Sequence, residues 1–245
     1  MFDLISIGDA AVDHFFKIND AHLEKPVHAE QELCLRFGDK LPVEKYHQSL
    51  GGNNANNAVG ASRLKLRVAI YLNVGSDLAG KFTLAKLKEE GVDLRYVVVN
   101  EGMDSNVSAL ISFKGERTIL TYHQDFTYRL PDLERCRWIY LSSMAKSAYE
   151  EGLTAQLENY VERTFGSLMF NPGTFELKHG IKKFPKLLSL TKLLILNKDE
   201  AELTLGSSSD LKKMLTKLTD LGPRMAIITD GRNGSCGFDG EKFWQ

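Results

Sequence analysis

The chain has 245 residues, 43% of them hydrophobic, enough to bury a full core in one large domain and to make disorder a poor description. Lys and Arg number 31 against 32 Asp and Glu, and the basic residues are scattered apart from the run LKKMLTKL (Leu211 to Leu218), which argues against a nucleic-acid partner. No apolar run reaches the roughly 18–20 residues of a membrane span, and Asp3 stands where a secretory signal carries positive charge, so no membrane partner and a cytoplasmic location are expected.

Taken in chain order, short apolar runs rich in branched residues alternate with helical patterns. Leu4 to Gly8 (LISIG) reads as a buried strand, and Phe15 to Leu50 then holds no convincing long helix. A helix is expected from Asn56 to Leu64, a strand from Arg67 to Gly75 and a helix from Gly80 to Glu90. Val97 to Thr127 alternates like antiparallel strands joined by a Lys-Gly-Glu turn. Beyond it come a strand at Arg137 to Ser143, a helix at Ala148 to Phe165, and strands at Ser167 to Asn171 and Lys192 to Asn197. Helices at Asp199 to Leu205 and Asp210 to Leu221 and a strand at Met225 to Gly231 complete the series. Strand, helix, strand repeated in this way predicts an α/β three-layer sandwich with a mostly parallel central sheet. The two segments that break the rhythm, about 15–50 and 97–127, are assigned to a small β-sheet lid, so that residues 1–245 form a single domain with a subdomain.

Cys34, Cys136 and Cys236 are odd in number, far apart and not in CxxC spacing, and no histidine pair has HxxxH spacing. Free thiols are expected, without a disulfide or zinc site. GxGxxG after a strand and GxxxxGK[ST] are both absent, which removes the dinucleotide-binding and phosphate-loop readings.

In an open parallel sheet, ligands sit outside the carboxyl ends of the strands. That rule collects Asp13 after the first strand, Gly51 and Gly52 at the mouth of the first long helix, Asn197 to Glu200 after a later strand, and Thr229 to Gly234 after the next. Each also has a structural reading. Asp13 can cap a turn, and Gly51-Gly52 can supply positive φ. Asn197 with Glu200 forms a capping box, and the stretch from Thr229 reads as a β-hairpin with Asn-Gly and Asp-Gly turns. Four asparagines at 53, 54, 56 and 57 exceed what one helix cap needs.

The order of these motifs is more specific than any one of them. A strand ending in Gly8 with Asp13 five residues on, Gly-Gly-x-x-x-Asn-x-Ala at Gly51 to Ala58, Asn197-x-x-Glu200, and Thr229-x-Gly231-x-x-Gly234 together resemble the ribokinase-like family of sugar and nucleoside kinases, the PfkB carbohydrate kinases. The resemblance implies transfer of a phosphoryl group from ATP to a sugar hydroxymethyl group. By the same resemblance Asp13, Gly51, Gly52 and Asn56 hold the acceptor. Asn197 and Glu200 position Mg-ATP, with Glu200 holding Mg²⁺ through water, and Thr229, Gly231 and Gly234 border the nucleotide. Phe113 to His123 matches the lid strand that reaches the sugar, and exposed lid strands could pair two copies into a homodimer.

Three positions depart from the family. Ala11 stands where ribokinases often have Asn, Asn53 where they have Lys or Ala, and Ser142, Ser143 and Met144 where they place a carboxylate. The sugar is therefore open, with a nucleoside such as adenosine as the alternative acceptor. The family's GAGD segment, whose Asp is the catalytic base, has no match before Gln245. The expectation is a C-terminally incomplete chain with its base beyond the end, weak in phosphoryl transfer, with a non-catalytic sugar-binding fragment or a lid-mediated scaffold as further readings.

Overall fold

Phe2–Ile7 (β1) is apolar at four of its six residues and buried at five, as an inner strand of a parallel sheet has to be. In the computed structural model, which describes residues 1–25, 31–206 and 210–245, β1 leads directly into Ala11–Ile18 (β2), part of a second sheet. A short ribbon follows, His22–Glu24 (β3) and Glu32–Cys34 (β4), and Val43–Gly51 (β5) returns the chain. Residues 26–30 of the expected lid excursion lie outside the described residues.

Asn53–Arg63 (α1), Val68–Gly75 (β6), Leu78–Glu89 (α2) and Asp93–Asn100 (β7) build two crossovers. Val107–Phe113 (β8) and Glu116–Tyr122 (β9) form a hairpin whose turn residues Lys114 and Gly115 both have positive φ, matching the twist of the strands. The remainder runs Cys136–Leu141 (β10), Lys146–Glu150 (α3), Leu153–Thr164 (α4), Ser167–Phe170 (β11), Thr174–His179 (α5) and Pro185–Leu190 (α6). Then come Thr191–Asn197 (β12), Lys198–Leu205 (α7), Leu211–Thr219 (α8), Met225–Thr229 (β13), Ser235–Phe238 (β14) and Phe243–Trp244 (β15).

The main sheet has the order β15-β14-β13-β12-β11-β10-β1-β6-β7, parallel from β7 to β13 and antiparallel at β14 and β15. Successive residues of its strands feed opposite layers. Ile5 and Ile7 belong to one buried cluster that extends to Leu153 and Leu157 of α4 and, over β13 and β14, to Leu215 and Leu218 of α8. Leu4, Val68 and Ile70 pack with Ala55 and Ala58 of α1 and Leu87 of α2. The three-layer α/β sandwich is as the alternation predicts.

The lid is a separate four-stranded sheet, β5-β2-β8-β9. Its limits differ from the expectation in two ways. The lid strand β2 starts at Ala11, so Asp13 lies within the lid and not in a loop after β1. Residues 97–100 belong to β7, the edge strand of the main sheet, whose mixed burial imitates a half-exposed lid strand. The single helix expected from Ala148 to Phe165 is two, because Gly152 at φ 85° ends α3 and opens α4. Helices α5 and α6, six residues each, are too short to express a helical period and are absent from the sequence reading.

Candidate functional site

The lid and the sheet meet where β1 ends. Asp13 stands directly opposite Ser49 of β5 and Ser108 of β8, so the three side chains share one face of the lid. Burial pushes the Asp13 carboxyl above its ordinary value, and the Ser108 hydroxyl and the charge of Arg117 pull back. A Cβ at position 51 would lie 2.1 Å from Asp13 Oδ2, so the carboxylate occupies space that only glycine leaves open. Gly52, at φ 91°, takes the N-cap position of α1 without a side-chain cap, and its own Cβ would meet Ala10 Cα at 2.9 Å. The first amides of α1 are left for a polar ligand.

The four asparagines divide the work. Asn54 is buried and its Nδ2 donates to Gly8 O (2.6 Å) and Tyr71 O (3.0 Å), tying α1 to the ends of β1 and β6. Asn57 Oδ1 accepts from the Ser6 hydroxyl at 3.3 Å. Asn53 Nδ2 reaches across to Asn171 Oδ1 (3.1 Å), which also accepts from the Tyr140 hydroxyl (3.0 Å). Asn56, three residues beyond Asn53 and so on the same side of the helix, is exposed and lines a groove of about 390 Å³ with Ser49 and Leu50. No hydrogen bond joins it to Asp13 among the described residues.

Asn171 is the link to the other half of the site. Its Nδ2 donates to Ile195 O (2.9 Å) in β12, two residues before Asn197. Asn197 caps α7: Glu200 N donates to its Oδ1 and its own N donates to Glu200 Oε2, both at 2.8 Å. The capping-box reading is therefore observed, and Glu200 Oε1 keeps its lone pairs free among the described residues. Burial raises the Glu200 carboxyl, opposed by the Asn197 amide, and Tyr140 is pushed up to about 12 by burial and by the charge of Glu200. Asn197 and Thr229 are register partners in β12 and β13, and Lys198 Nζ lies 3.7 Å from Asp230 Oδ2. Gly231 (φ 52°) and Gly234 (φ 90°) form the turn into β14, closed by Asp230 N to Gly234 O at 2.8 Å. Carboxylate, amide and hydroxyl oxygens at one edge suit a hard cation that keeps its waters, so these residues fit Mg²⁺.

Two buried carboxylates were not singled out by pattern. Asp9, adjoining Gly8, accepts from the Tyr128 hydroxyl (2.8 Å) and from Ala145 N (3.0 Å), and burial raises it to about 7. Glu176 is fully buried, accepts from Gly173 N (3.0 Å), bonds the Tyr149 hydroxyl, and is raised by burial to about 8, with Asp9's charge contributing. Beside them a cavity of about 390 Å³ is lined by His123, Asp125, Ser143, Lys146 and Thr174. The signal for Asp9 and for Asn171 was present, since each follows the end of a parallel strand, but Asp13 and Asn197 drew the reading to themselves.

Residues 21–245 match the profile of the pfkB family of carbohydrate kinases. The chain belongs to that family. Among the relatives of this pfkB kinase, the ATP-dependent 6-phosphofructokinase of Thermoanaerobacterium thermosaccharolyticum is 25% identical over 255 residues, covering 98% of this chain and 72% of that one. The ribokinase of Haemophilus influenzae is 24% identical over 212 residues, covering 80% and 66%. The solved structure of Arabidopsis thaliana ribokinase complexed with ribose and ATP superposes with a TM-score of 0.77 at 18% identity, over 100% of this chain and 77% of that one. At that identity the likeness speaks for the fold, a pfkB kinase sandwich with its lid.

Proposed function

We propose that this pfkB-family kinase transfers the γ-phosphoryl group of ATP to a hydroxymethyl oxygen of a sugar. The observation that carries the reading is a continuous polar row: Asp13 on the glycine pair, Asn53 bonded to Asn171, and Asn171 bonded to the strand that ends in Asn197 beside Thr229. An acceptor and a nucleotide laid along that row have their reacting ends together. Asp13 accepts hydroxyl protons of the sugar, while Asn56 and the free amides of α1, beside Gly51 and Gly52, complete its cradle. Asn197 and Glu200 would hold Mg²⁺, and Thr229, Gly231 and Gly234 would border the nucleotide. Mg²⁺, when bound, neutralises phosphate charge as it builds.

No described carboxylate is assigned as general base: Asp13 is committed to the sugar, and Asp9 and Glu176 are buried under tyrosines. Closure of the lid excludes water from the phosphates. We place the reaction in the cytoplasm; among the described residues no helix is long and apolar enough to cross a membrane. The lid edge β9, exposed along its length with Ile119, Leu120 and Tyr122, is a surface for pairing two copies.

The test is calorimetric titration of the chain with ribose, fructose, fructose 6-phosphate and adenosine, alongside Asp13→Ala. Saturable binding of one sugar, weakened at least about tenfold (about 1.4 kcal/mol) in the variant, is expected. Binding that Asp13→Ala leaves unchanged overturns the acceptor assignment. Preference for adenosine moves the site to nucleosides, and a folded chain that binds none of the panel overturns the sugar reading.

A further inference from the structure

The ribbon β3–β4 projects from the lid between β2 and β5 and has almost no core of its own. All three residues of β3 are exposed, and Leu23 retains 39% of its surface. Two short strands alone are marginally stable in water. The pairing adds a further cost, because Glu24 stands directly opposite Glu32, a like-charge pair.

The same register sets a different group together. His22 is the direct partner of Cys34, and Glu24, two residues along β3, points to the same face. The Nε2 or Nδ1 of His22, the Sγ of Cys34 and a carboxylate oxygen of Glu24 all lie within 4.8 Å of one another, and His22 Nε2 is 3.1 Å from Glu24 Oε1. Around a tetrahedral zinc, bonds of about 2.0–2.3 Å put neighbouring ligand atoms about 3.3–3.6 Å apart. His22 and Glu24, both exposed, reach that spacing to the half-buried Cys34 by small χ rotations.

We infer that His22, Glu24 and Cys34 form a surface site for a zinc-class divalent cation that clamps the two strands of the lid ribbon. Thiolate, imidazole and carboxylate together select a borderline cation over Mg²⁺ or Ca²⁺, with water as fourth ligand. The ion replaces the His22–Glu24 hydrogen bond and gives the paired glutamates a counter-charge. Cys34 gives up its thiol proton to solvent on binding, so affinity rises with pH. The ligands come from both strands of the ribbon, which is why neither CxxC nor HxxxH spacing announces them. The site is separate from the Mg-ATP edge at Asn197 and Glu200 and does not depend on the proposed substrate.

The experiment is titration of the full chain with Co²⁺ under reducing conditions, followed by the near-ultraviolet thiolate-to-cobalt charge-transfer band, with Zn²⁺ competition. One Co²⁺ per chain is expected, with a band that Zn²⁺ removes, that Cys34→Ser abolishes and that Cys236→Ser leaves intact. His22→Ala should weaken binding at least about tenfold, the smallest loss seen even for partners outside the first coordination shell. Absence of the band overturns the site, as does a band that survives Cys34→Ser or one that requires two chains per metal. Circular dichroism of the variants guards against misfolding, and the exposed ribbon makes misfolding a minor concern.

Discussion

At the residue scale, the site depends on an atom that is absent. The Asp13 carboxylate fills the space a Cβ would occupy at position 51, 2.1 Å from its Oδ2. On the proposed function, Gly51→Ala therefore acts on sugar binding through Asp13. The backbone at 51 is not in the left-handed region, so the substitution is not strained by φ; the carboxylate swings away or the strands part, at about 1–3 kcal/mol of overpacking. The expected result by calorimetry is a loss of sugar affinity comparable to that of Asp13→Ala, with a moderately lowered melting temperature. Retention of parent affinity would mean that Asp13 binds the sugar from another rotamer. This dependence was half legible: Gly51-Gly52 and Asp13 stood out in the sequence as separate signals, but their contact spans two strands of the lid and has no linear trace.

At the element scale, the proposed function gives Asn197 and Glu200 a second role besides the capping of α7, and substitution separates the two. Asn197→Ala removes the cap acceptor for Glu200 N and should cost about 1 kcal/mol. Glu200→Gln keeps an oxygen for the Asn197 amide while removing the charge. Its melting temperature should correspond to a change within about 0.5 kcal/mol. Mg²⁺-dependent nucleotide binding should nevertheless weaken severalfold in Glu200→Gln, read by titration with a non-hydrolysable ATP analogue with and without Mg²⁺. If Glu200→Gln binds Mg-nucleotide as the parent does, capping is its whole role. The strands of the main sheet were readable because branched apolar runs buried on both faces leave few alternatives. The lid limits were not, because β7 at the sheet edge and the lid strands have the same half-exposed alternation.

At the scale of the whole molecule, the buried carboxylates make stability depend on pH. Asp9 is raised from an ordinary 3.8 to about 7 and Glu176 from 4.5 to about 8, both chiefly by burial. The folded state thus binds more protons than the unfolded state between the ordinary and the raised values. The stability so gained is fully present below the ordinary values and is lost as pH rises through the folded ones. The lowered carboxylates, such as Asp77 beside Ser105 and Asp93 beside Arg95, are ionised in both states above about pH 5. Asp13, Glu158 and Glu200, also raised by burial, act in the same direction as Asp9 and Glu176, while His123, lowered by burial, acts against them, and the two large shifts set the sign. The melting temperature should fall from about pH 5 to about pH 8. Asp9→Asn, whose one amide oxygen can still accept from both the Tyr128 hydroxyl and Ala145 N, as Asp9 Oδ2 does, should flatten the decline. A profile that rises over this range, or one that Asp9→Asn leaves unaltered, would refute the assignment. Asp9 escaped the sequence reading because a carboxylate beside a strand-ending glycine looks like an ordinary turn residue until Tyr128, 119 positions away, closes over it.

By itself the sequence determined the architecture and the family of motifs. Runs of Leu, Ile and Val set the parallel strands, the glycine pair and the Asn197-x-x-Glu200 cap are local devices, and their order along the chain names the fold. These features are short-range, fixed by side-chain shape and backbone preference within a few residues. The tertiary structure alone decided which of the four asparagines brace α1 and which one spans the cleft, that Asp13 sits in the lid, and that His22 and Cys34 face each other. Each of those outcomes is a contact between segments brought together by strand register and helix docking, and such contacts are set by the burial of the whole core.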